Sequence, residues 1–224
     1  MVFINFLSVF VILAMFMVLW FFWKNALDPL NVKKPRLTFF LSIIAWIFLM
    51  GLNNYLLYQG MSDNYRRIIE LMIPPVIVLL CVKDSFKSIG FRKKWSNIDL
   101  AWLIPSAVFL IAWLFSKPAI TTDNLLLIAQ ITLFAGVSQE VYYRGFVQPR
   151  AEIVLGGGWG LVCASVLFAV YHPISKIVTQ GFEVESLIFL VVFGLITGYS
   201  FRRSRNILPL ALFHSMYDIF RMVH

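Results

Sequence analysis

The sequence predicts an all-α, polytopic membrane protein in which about eight transmembrane helices enclose a polar intramembrane cavity. Of the 224 residues, 60% are hydrophobic and only 13% are charged, whereas soluble domains are about 45–50% apolar and about 25% charged. The apolar residues form several blocks of roughly the 20 residues that a helix needs to cross a bilayer. Ionisable residues interrupt a few of these blocks, where they are costly and indicate a functional site.

Eight segments are predicted to span the membrane, and together they form a single integral-membrane domain over residues 1–224. They are Val2–Trp23, Leu37–Gln59, Arg66–Val82, Ile98–Phe115, Asn124–Arg150, Gly158–His172, Ser186–Phe201 and Ile207–Met222. The first has no preceding basic residue and no small-residue cleavage site, so we interpret it as a true span and not a removable signal peptide. The Gly194-x-x-x-Gly198 pair in the seventh span predicts close helix packing.

The net charge of +8 comes mainly from short loops between the spans, so we expect no nucleic-acid partner. Of the 19 Lys and Arg residues, 14 lie after or near the ends of the first, third, fifth and seventh spans. Because cytoplasmic loops carry an excess of basic residues, this side is predicted to be cytoplasmic and both termini to face outside. We expect a multi-pass protein of the prokaryotic plasma membrane, in contact with membrane lipids.

Three polar motifs interrupt the apolar segments of the C-terminal half, within a motif-bearing core of about residues 124–222. They are Gln139-Glu140 with Arg144, Phe168 with His172, and His214 with Asp218. Residues four apart lie about one turn apart on one helix face, so each motif presents its polar groups together. Because Pro173 follows His172, the sixth span is expected to end or break at that histidine.

The motifs are predicted to meet at one depth in the membrane. Glu140 lies 16 residues before Gly156, which begins a glycine-rich reversal, and His172 lies 16 residues after it. An antiparallel hairpin that turns there places both side chains at similar depth. His214 lies eight residues after Asn206, or ~12 Å into the last span by helical rise. Three helices could therefore bring a carboxylate and two imidazoles together.

This set of residues has the parts needed for peptide hydrolysis without a serine or cysteine nucleophile. A carboxylate beside an imidazole activates water as a general base, and a second imidazole donates hydrogen bonds to a developing oxyanion. Alternatively, His172, His214 and Glu140 could hold a zinc ion with an open water position, although no H-E-x-x-H motif occurs.

Two further alternatives remain open from the residues alone. Buried Glu140–Arg144 and His214–Asp218 pairs could serve only to fix the packing of their helices. Intramembrane Glu, Arg and His also suit the proton relay of a transporter, although no inverted repeat is visible in the sequence.

In order and spacing, the motifs resemble those of the CPBP family, which comprises type II CAAX prenyl endopeptidases and bacterial relatives, some tied to bacteriocin processing or self-immunity. The family pattern is E-E-x-x-x-R, then F-x-x-x-H, then H-x-x-x-N or H-x-x-x-D, matched here over roughly the last hundred residues. The resemblance implies an intramembrane protease acting on membrane-associated proteins or peptides, which are prenylated in the eukaryotic precedent.

The resemblance also implies roles for individual residues. The first glutamate and first histidine of the pattern activate water, while the second histidine and the Asn of its motif stabilise the oxyanion; zinc has also been proposed for the family. Carried over to this sequence, the first histidine is His172 and the second is His214. The base position is Gln139, and Glu140 matches the second, supporting glutamate.

Gln139 departs from the family pattern, and a neutral amide cannot take a proton from water. Glu140 could act as the base, although adjacent helical residues point ~100° apart. The chain could instead be a catalytically impaired member that binds peptides or confers bacteriocin immunity, or an inactivated Glu→Gln variant. Asp218 replaces the commoner Asn and could orient His214 instead of touching the oxyanion.

Overall fold

The structure is a computed structural model that describes residues 30–60, 86–92, 95–116, 136–180 and 184–223, with single positions 76, 80, 125, 128, 129 and 132. Every regular element in these ranges is helical, which confirms the predicted all-α class. The predicted spans Val2–Trp23 and Arg66–Val82, and most of Asn124–Arg150 before Gly136, lie outside the described residues.

The elements of the described ranges follow one another in chain order, with a short 3₁₀ turn at Phe86–Ile89 and a π-helical segment at Glu140–Val147. The α-helices are α1 (Pro35–Tyr58), α2 (Asn97–Ala101), α3 (Leu103–Phe115), α4 (Gln148–Leu155), α5 (Gly157–Gln180), α6 (Val184–Ser204) and α7 (Leu208–Val223).

Three described stretches are long and apolar enough to cross a membrane, and they agree with the second, fourth and seventh predicted spans. They are Pro35–Leu52, Asn97–Phe115 and Val184–Ser204. The sixth predicted span corresponds to the shorter apolar stretch Gly157–His172. The protein is therefore a polytopic membrane protein, while the number of eight spans stays a prediction.

The fourth predicted span consists of two consecutive helices. Ser96 starts α2 with a capping box, in which its hydroxyl accepts a hydrogen bond from the Asp99 amide and its own amide donates to Asp99 Oδ2 at 2.7 Å. The chain then changes helix at Trp102. Pro105 explains the break, because a proline cannot donate to the carbonyl four residues earlier, which here belongs to Ala101.

The predicted reversal between the fifth and sixth spans is present at Gly156. Its φ of 87° lies in the left-handed region, which glycine adopts without a Cβ penalty. The returning helix lies very close to α4, since a Cβ on Gly160 would meet the backbone of Ala151 and Glu152. The predicted α4–α5 hairpin is thus confirmed, with glycine at the turn and at the tightest crossing.

The expectation that the helix ends or breaks at His172 is wrong. Helix α5 continues without interruption through His172 and Pro173 to Gln180, so the loop expected after Pro173 is mostly helical. A proline disfavours helical geometry in its predecessor but does not forbid it. The proline removes the backbone hydrogen bond to the Ala169 carbonyl, while the His172 ring donates from Nδ1 to the neighbouring Phe168 carbonyl at 2.9 Å.

The predicted packing role of Gly194 and Gly198 is also confirmed. A Cβ on Gly194 would lie 3.0 Å from Cβ of Ser165, and one on Gly198 would lie 2.6 Å from Cδ1 of Leu161. Both neighbours belong to α5. The two glycines therefore let the α5 and α6 backbones approach closely, as small residues do in membrane helices.

Aromatic side chains fill the core between α3 and α7. The Phe109 ring lies 5.9 Å from Phe213, 5.4 Å from Tyr217 and 5.4 Å from Phe220, measured between ring centroids. Trp102 adds a contact of 4.8 Å with Phe213. Because α7 also carries His214, this aromatic packing fixes the height and rotation of that histidine.

Residues 136–155 form the continuous helical stretch that carries the first motif, which we call the motif helix. Three hydrogen bonds fix helix α1 to it. The Tyr142 hydroxyl donates to the Ser42 carbonyl at 2.9 Å, and Trp46 Nε1 donates to the Tyr143 hydroxyl at 3.2 Å. Arg150 Nε donates to the Thr38 hydroxyl at 2.9 Å. These bonds hold the motif helix between α1 on one side and α6 and α7 on the other.

Candidate active site

The helix that carries the first motif crosses α7 at Gly136. A Cβ at Gly136 would overlap the Ser215 hydroxyl and would lie 2.8 Å from the Ala211 carbonyl oxygen. The two backbones can approach this closely only because glycine has no side chain. Glu140, four residues later, thereby comes within hydrogen-bonding distance of His214.

Glu140 is the centre of a buried polar cluster. Its side chain is 0% exposed, and His214 Nδ1 donates a hydrogen bond to its Oε1 at 2.9 Å. Its Oε2 forms an ion pair with Arg144 Nε at 3.4 Å. Taking a carboxylate out of water costs several kcal/mol unless it is paired, so the imidazole and the guanidinium together make this burial tolerable.

Arg144 is held in a fixed orientation by α5 and α6. Its Nε donates to the Thr197 hydroxyl at 3.1 Å, and its Nη2 contacts the same oxygen. Its Cζ lies 4.2 Å from the centroid of the Phe168 ring, within the range of a cation–π interaction. Thr197 in turn donates to the Phe193 carbonyl at 2.8 Å, which fixes the direction of its hydroxyl.

The Phe168 ring joins the second and third motifs. Its centroid lies 4.7 Å from that of His172 and 5.8 Å from that of His214. Both imidazoles therefore contact one aromatic ring, which also lies under the Arg144 guanidinium. The spacing of Phe168 and His172 has a structural explanation: one turn of α5 places the two rings in contact with each other, and the Phe168 ring also contacts Arg144 and His214.

The hydrogen bonds determine which ring nitrogens carry hydrogen. His172 Nδ1 faces the Phe168 carbonyl, which only accepts hydrogen bonds, so Nδ1 is the donor. In the neutral imidazole, the lone pair is then on Nε2. His214 Nδ1 likewise donates to the Glu140 carboxylate, which leaves its Nε2 directed towards the Asp218 side of the site.

Asp218 lies at the edge of the cluster. Its Oδ2 is 3.7 Å from His214 Nε2, which is within ion-pair range but beyond hydrogen-bonding distance. Its side chain is 28% exposed, in contrast to the fully buried Glu140. His214 is thus flanked by one carboxylate on each ring nitrogen.

Gln139 is also buried, with 3% of its surface exposed, and its Oε1 accepts no hydrogen bond from the part of the chain that the structure describes. A buried amide oxygen normally has a protein or water partner. An acceptor in this position can hold a water molecule, but it cannot remove a proton from one.

The residues that could hold zinc do not fit a metal site in this arrangement. Within the described ranges, no three His, Cys, Asp or Glu side chains are grouped closely enough to hold a metal ion. Of the three candidates, Glu140 is engaged by His214 and Arg144, while His172 Nδ1 is engaged by a backbone carbonyl. We therefore derive no chemical step through zinc.

The structure pairs Glu140 differently from the expectation drawn from depth alone. The sequence placed His172 at the depth of Glu140, whereas the hydrogen-bond partner of Glu140 is His214. Depth along a hairpin does not determine which faces of two helices meet. The close crossing at Gly136, which depends on lateral packing, brings α7 to Glu140.

Comparison with known families adds an independent observation. Residues 121–220 match the family model described as type II CAAX prenyl endopeptidase Rce1-like. This part of the chain is similar to that family. No curated protein and no solved structure matched the chain.

The type II CAAX prenyl endopeptidase family is a family of intramembrane proteases. Peptide-bond hydrolysis is therefore supported for this chain at the level of the family, and membrane-associated peptides are the kind of substrate that agrees with it. The match covers all three motifs, so the resemblance inferred from Glu140, His172 and His214 is confirmed. Together with the apolar helices, it places the protein in a membrane.

Four residues that contribute to the cluster or its surroundings were not identified from the sequence: Gly136, Gln148, Glu152 and Thr197. Gln148 and Glu152 continue the four-residue spacing of Glu140 and Arg144, and that periodicity was a usable signal. Gly136 and Thr197 carry no such signal, because their roles depend on the helices that lie opposite them.

Proposed function

We propose that this chain is an intramembrane endopeptidase that hydrolyses peptide bonds of membrane-associated proteins or peptides with a water molecule activated by its glutamate–histidine set. The observation that carries the proposal is the hydrogen bond between Glu140 and His214 beside the Phe168–His172 pair, inside a buried cluster. Buried ionisable groups are expensive in a membrane and are retained mainly where they act.

The geometry supports a division of roles. His172 Nε2, which carries the lone pair in the neutral ring, takes a proton from water as the water oxygen attacks the peptide carbonyl carbon. Gln139 Oε1 accepts a hydrogen bond from that water and positions it. When the carbon–nitrogen bond breaks, His172 returns the proton to the leaving amine.

Glu140 supports His214 and does not itself act as the base in this proposal. One of its oxygens accepts from His214 Nδ1, and the other faces Arg144. This arrangement orients His214 and leaves its Nε2 facing Asp218. An imidazole that carries hydrogen on both nitrogens can donate from Nε2 to a developing oxyanion. Asp218 adds a second negative charge near that imidazole.

The test is cleavage of membrane peptides by the purified protein in lipid nanodiscs. The peptides include matched pairs with and without a prenyl group on a C-terminal cysteine, and new termini are identified by mass spectrometry. We expect cleavage that His172→Ala abolishes and that Ser106→Ala, a buried change in α3, retains. Cleavage that survives His172→Ala unchanged would exclude the proposed base.

A second candidate function follows from Gln139. Since the amide cannot act as a base and Glu140 is engaged on both oxygens, the site also suits a member that binds peptides without cutting them, as in bacteriocin immunity. This alternative predicts that His172→Ala leaves the cellular phenotype intact. Loss of that phenotype in a correctly folded His172→Ala protein would argue against it.

A further inference from the structure

A row of buried polar side chains extends away from Glu140 along the motif helix. Its members are four residues apart, so they lie on one face of the helix, and we call this row the polar file. It consists of Glu140, Arg144, Gln148 and Glu152. The first three are buried at 1% exposure or less, and the Glu152 side chain is 7% exposed.

Helix α6 and the turn after it line the opposite side of the polar file. Thr197 faces Arg144, and the Gly198 carbonyl accepts from Gln148 Nε2 at 2.7 Å. Gln148 Nε2 also donates to Glu152 Oε1 at 2.8 Å, and Arg205 Nη2 contacts Glu152 Oε2 at 2.9 Å. The file therefore extends from the candidate site to the basic end of α6.

Several polar atoms along the file are buried and unpaired. Within the described ranges, no hydrogen bond reaches Arg144 Nη1, Gln148 Oε1, or Arg205 Nε and Nη1. In native proteins, buried polar atoms are almost always hydrogen-bonded to protein or to ordered water. Four such atoms on one path therefore indicate a common ligand.

The unpaired atoms of Arg144 and Gln148, the second and third residues of the polar file, identify that ligand. Arg144 offers an unpaired donor and Gln148 an unpaired acceptor, on neighbouring turns of one helix. A molecule that accepts from one and donates to the other bridges them, and water does both. Gly198 lets the facing helix approach Gln148 closely, since a Cβ there would lie 2.9 Å from Gln148 Oε1.

We propose that the polar file binds a line of water molecules that connects the basic end of α6 with Glu140. Its use in hydrolysis rests on the proposed function, because a peptidase inside a membrane consumes one water per bond cleaved and needs a route for it. The presence of the water line does not depend on turnover. Gln148 is the residue that controls passage, since it lies between Arg144 and Glu152.

The test is hydroxyl-radical labelling of the whole protein in lipid nanodiscs, in which radicals generated from bound water modify adjacent side chains. Phe168 lies under Arg144, and Phe201 lies 5.9 Å from the Arg205 guanidinium. Phe109 is the matched control, because it is equally buried but contacts aromatic rings of α7. We expect Phe168 and Phe201 to be labelled several-fold faster than Phe109.

The variant Gln148→Leu tests whether water reaches Phe168 from the Arg205 end of the polar file. It removes the polar groups at the centre of the file with little change in side-chain volume, so labelling should fall several-fold at Phe168 and stay unchanged at Phe201. Equal labelling of the three phenylalanines in the wild-type protein would overturn the proposal, even if Gln148→Leu does not fold. Unchanged labelling of Phe168 in a folded Gln148→Leu protein would overturn it as well.

Activity provides a separate measurement. If cleavage is detected, Gln148→Leu should lower kcat several-fold with little change in KM, whereas Ser106→Ala should change neither. An unchanged kcat would show that any bound water is not the water consumed. A chain that cleaves no peptide but shows the labelling pattern would contradict the proposed function and leave the water line intact.

Discussion

Glu140 is stable inside the protein only because two partners share its charge. His214 donates to one oxygen and Arg144 pairs with the other, and both partners are themselves buried. Glu140 is therefore a structural element of the site as well as the support of His214. Its substitution must be assessed for stability as well as for activity.

The change Glu140→Gln should lower the free energy of unfolding by about 3–5 kcal/mol, because it leaves the buried Arg144 guanidinium without a counter-charge. Denaturant unfolding in detergent micelles measures this difference. Glu185→Gln, in the exposed first turn of α6, is the control and should lower it by at most ~1 kcal/mol. Equal effects of the two changes would show that the ion pair does not hold the cluster together.

Thr197 is expected to position Arg144. Thr197→Val keeps the shape of the side chain but removes the hydroxyl that accepts from the guanidinium, which should lower the free energy of unfolding by about 1.5–3 kcal/mol. Thr197→Ser keeps the hydroxyl and should recover most of that loss. If Ser destabilises the protein as much as Val does, packing of the methyl group and not the hydrogen bond is the important contact.

At the residue scale, the sequence predicted that polar side chains of the three motifs lie near one another, but not which of these side chains pair. The ionisable groups were recognisable because charges are rare in apolar segments, and their spacing placed each pair on one face. The Glu140–His214 bond could not be predicted, because it requires knowledge of how α7 is rotated and how closely it approaches. The roles of Thr197 and Gly136 could not be predicted for the same reason, because they also depend on lateral contacts between helices.

At the scale of elements, the crossing of the motif helix and α7 at Gly136 controls the geometry of the site. Gly136→Ala places a methyl group against Ser215 and should lower the free energy of unfolding by about 1–3 kcal/mol through overpacking. It should also separate Glu140 from His214 and reduce any cleavage activity. Unfolding in micelles and peptide cleavage in nanodiscs measure the two effects.

Gly51→Ala in α1 is the matched control, because a Cβ at Gly51 meets no atom within 4 Å. Alanine is the better helix former, so this change should be neutral or stabilise by up to ~1 kcal/mol. If Gly136→Ala were as harmless as Gly51→Ala, the crossing would have enough freedom to accommodate a side chain, and the close approach would not be required.

The elements themselves illustrate where sequence patterns succeed and fail. The reversal at Gly156 and the packing of Gly194 and Gly198 were predictable, because glycine at such positions usually either turns the chain or lets two helices pack closely. The continuation of α5 through Pro173 was not predictable. A residue before a proline prefers non-helical geometry, but this local preference did not decide the structure at His172. The long fifth span changes to π-helical geometry at Glu140, which occurs often at functional sites and has no signature in the hydrophobic pattern.

At the scale of the whole molecule, the distribution of basic residues predicts how the chain is oriented. Lys87 and Glu185 are both exposed and are predicted to lie on opposite sides of the membrane. In a chain whose cysteines, Cys81 and Cys163, are replaced by alanine, a membrane-impermeant thiol reagent should label Glu185→Cys in intact cells. Lys87→Cys should be labelled only after the cells are opened.

The reverse pattern would invert the predicted topology, and labelling of both positions in intact cells would mean that they share one side. The orientation matters for the polar file, because its outer end lies beside Arg205 at the basic end of α6. In the predicted orientation, water reaches Glu140 from the cytoplasmic side.

The central claim is that this site hydrolyses peptide bonds, and Gln139 provides its most direct test. Cleavage of membrane peptides is compared for the wild-type protein, Gln139→Glu and His172→Ala, with peptide binding measured for each. A carboxylate at position 139 supplies a second general base in the buried site, and general bases contribute about 10²–10⁴-fold. We predict that Gln139→Glu cleaves faster than wild type by a factor within that range and that His172→Ala does not cleave. Failure of both the wild type and Gln139→Glu to cleave peptides that they still bind would contradict the account.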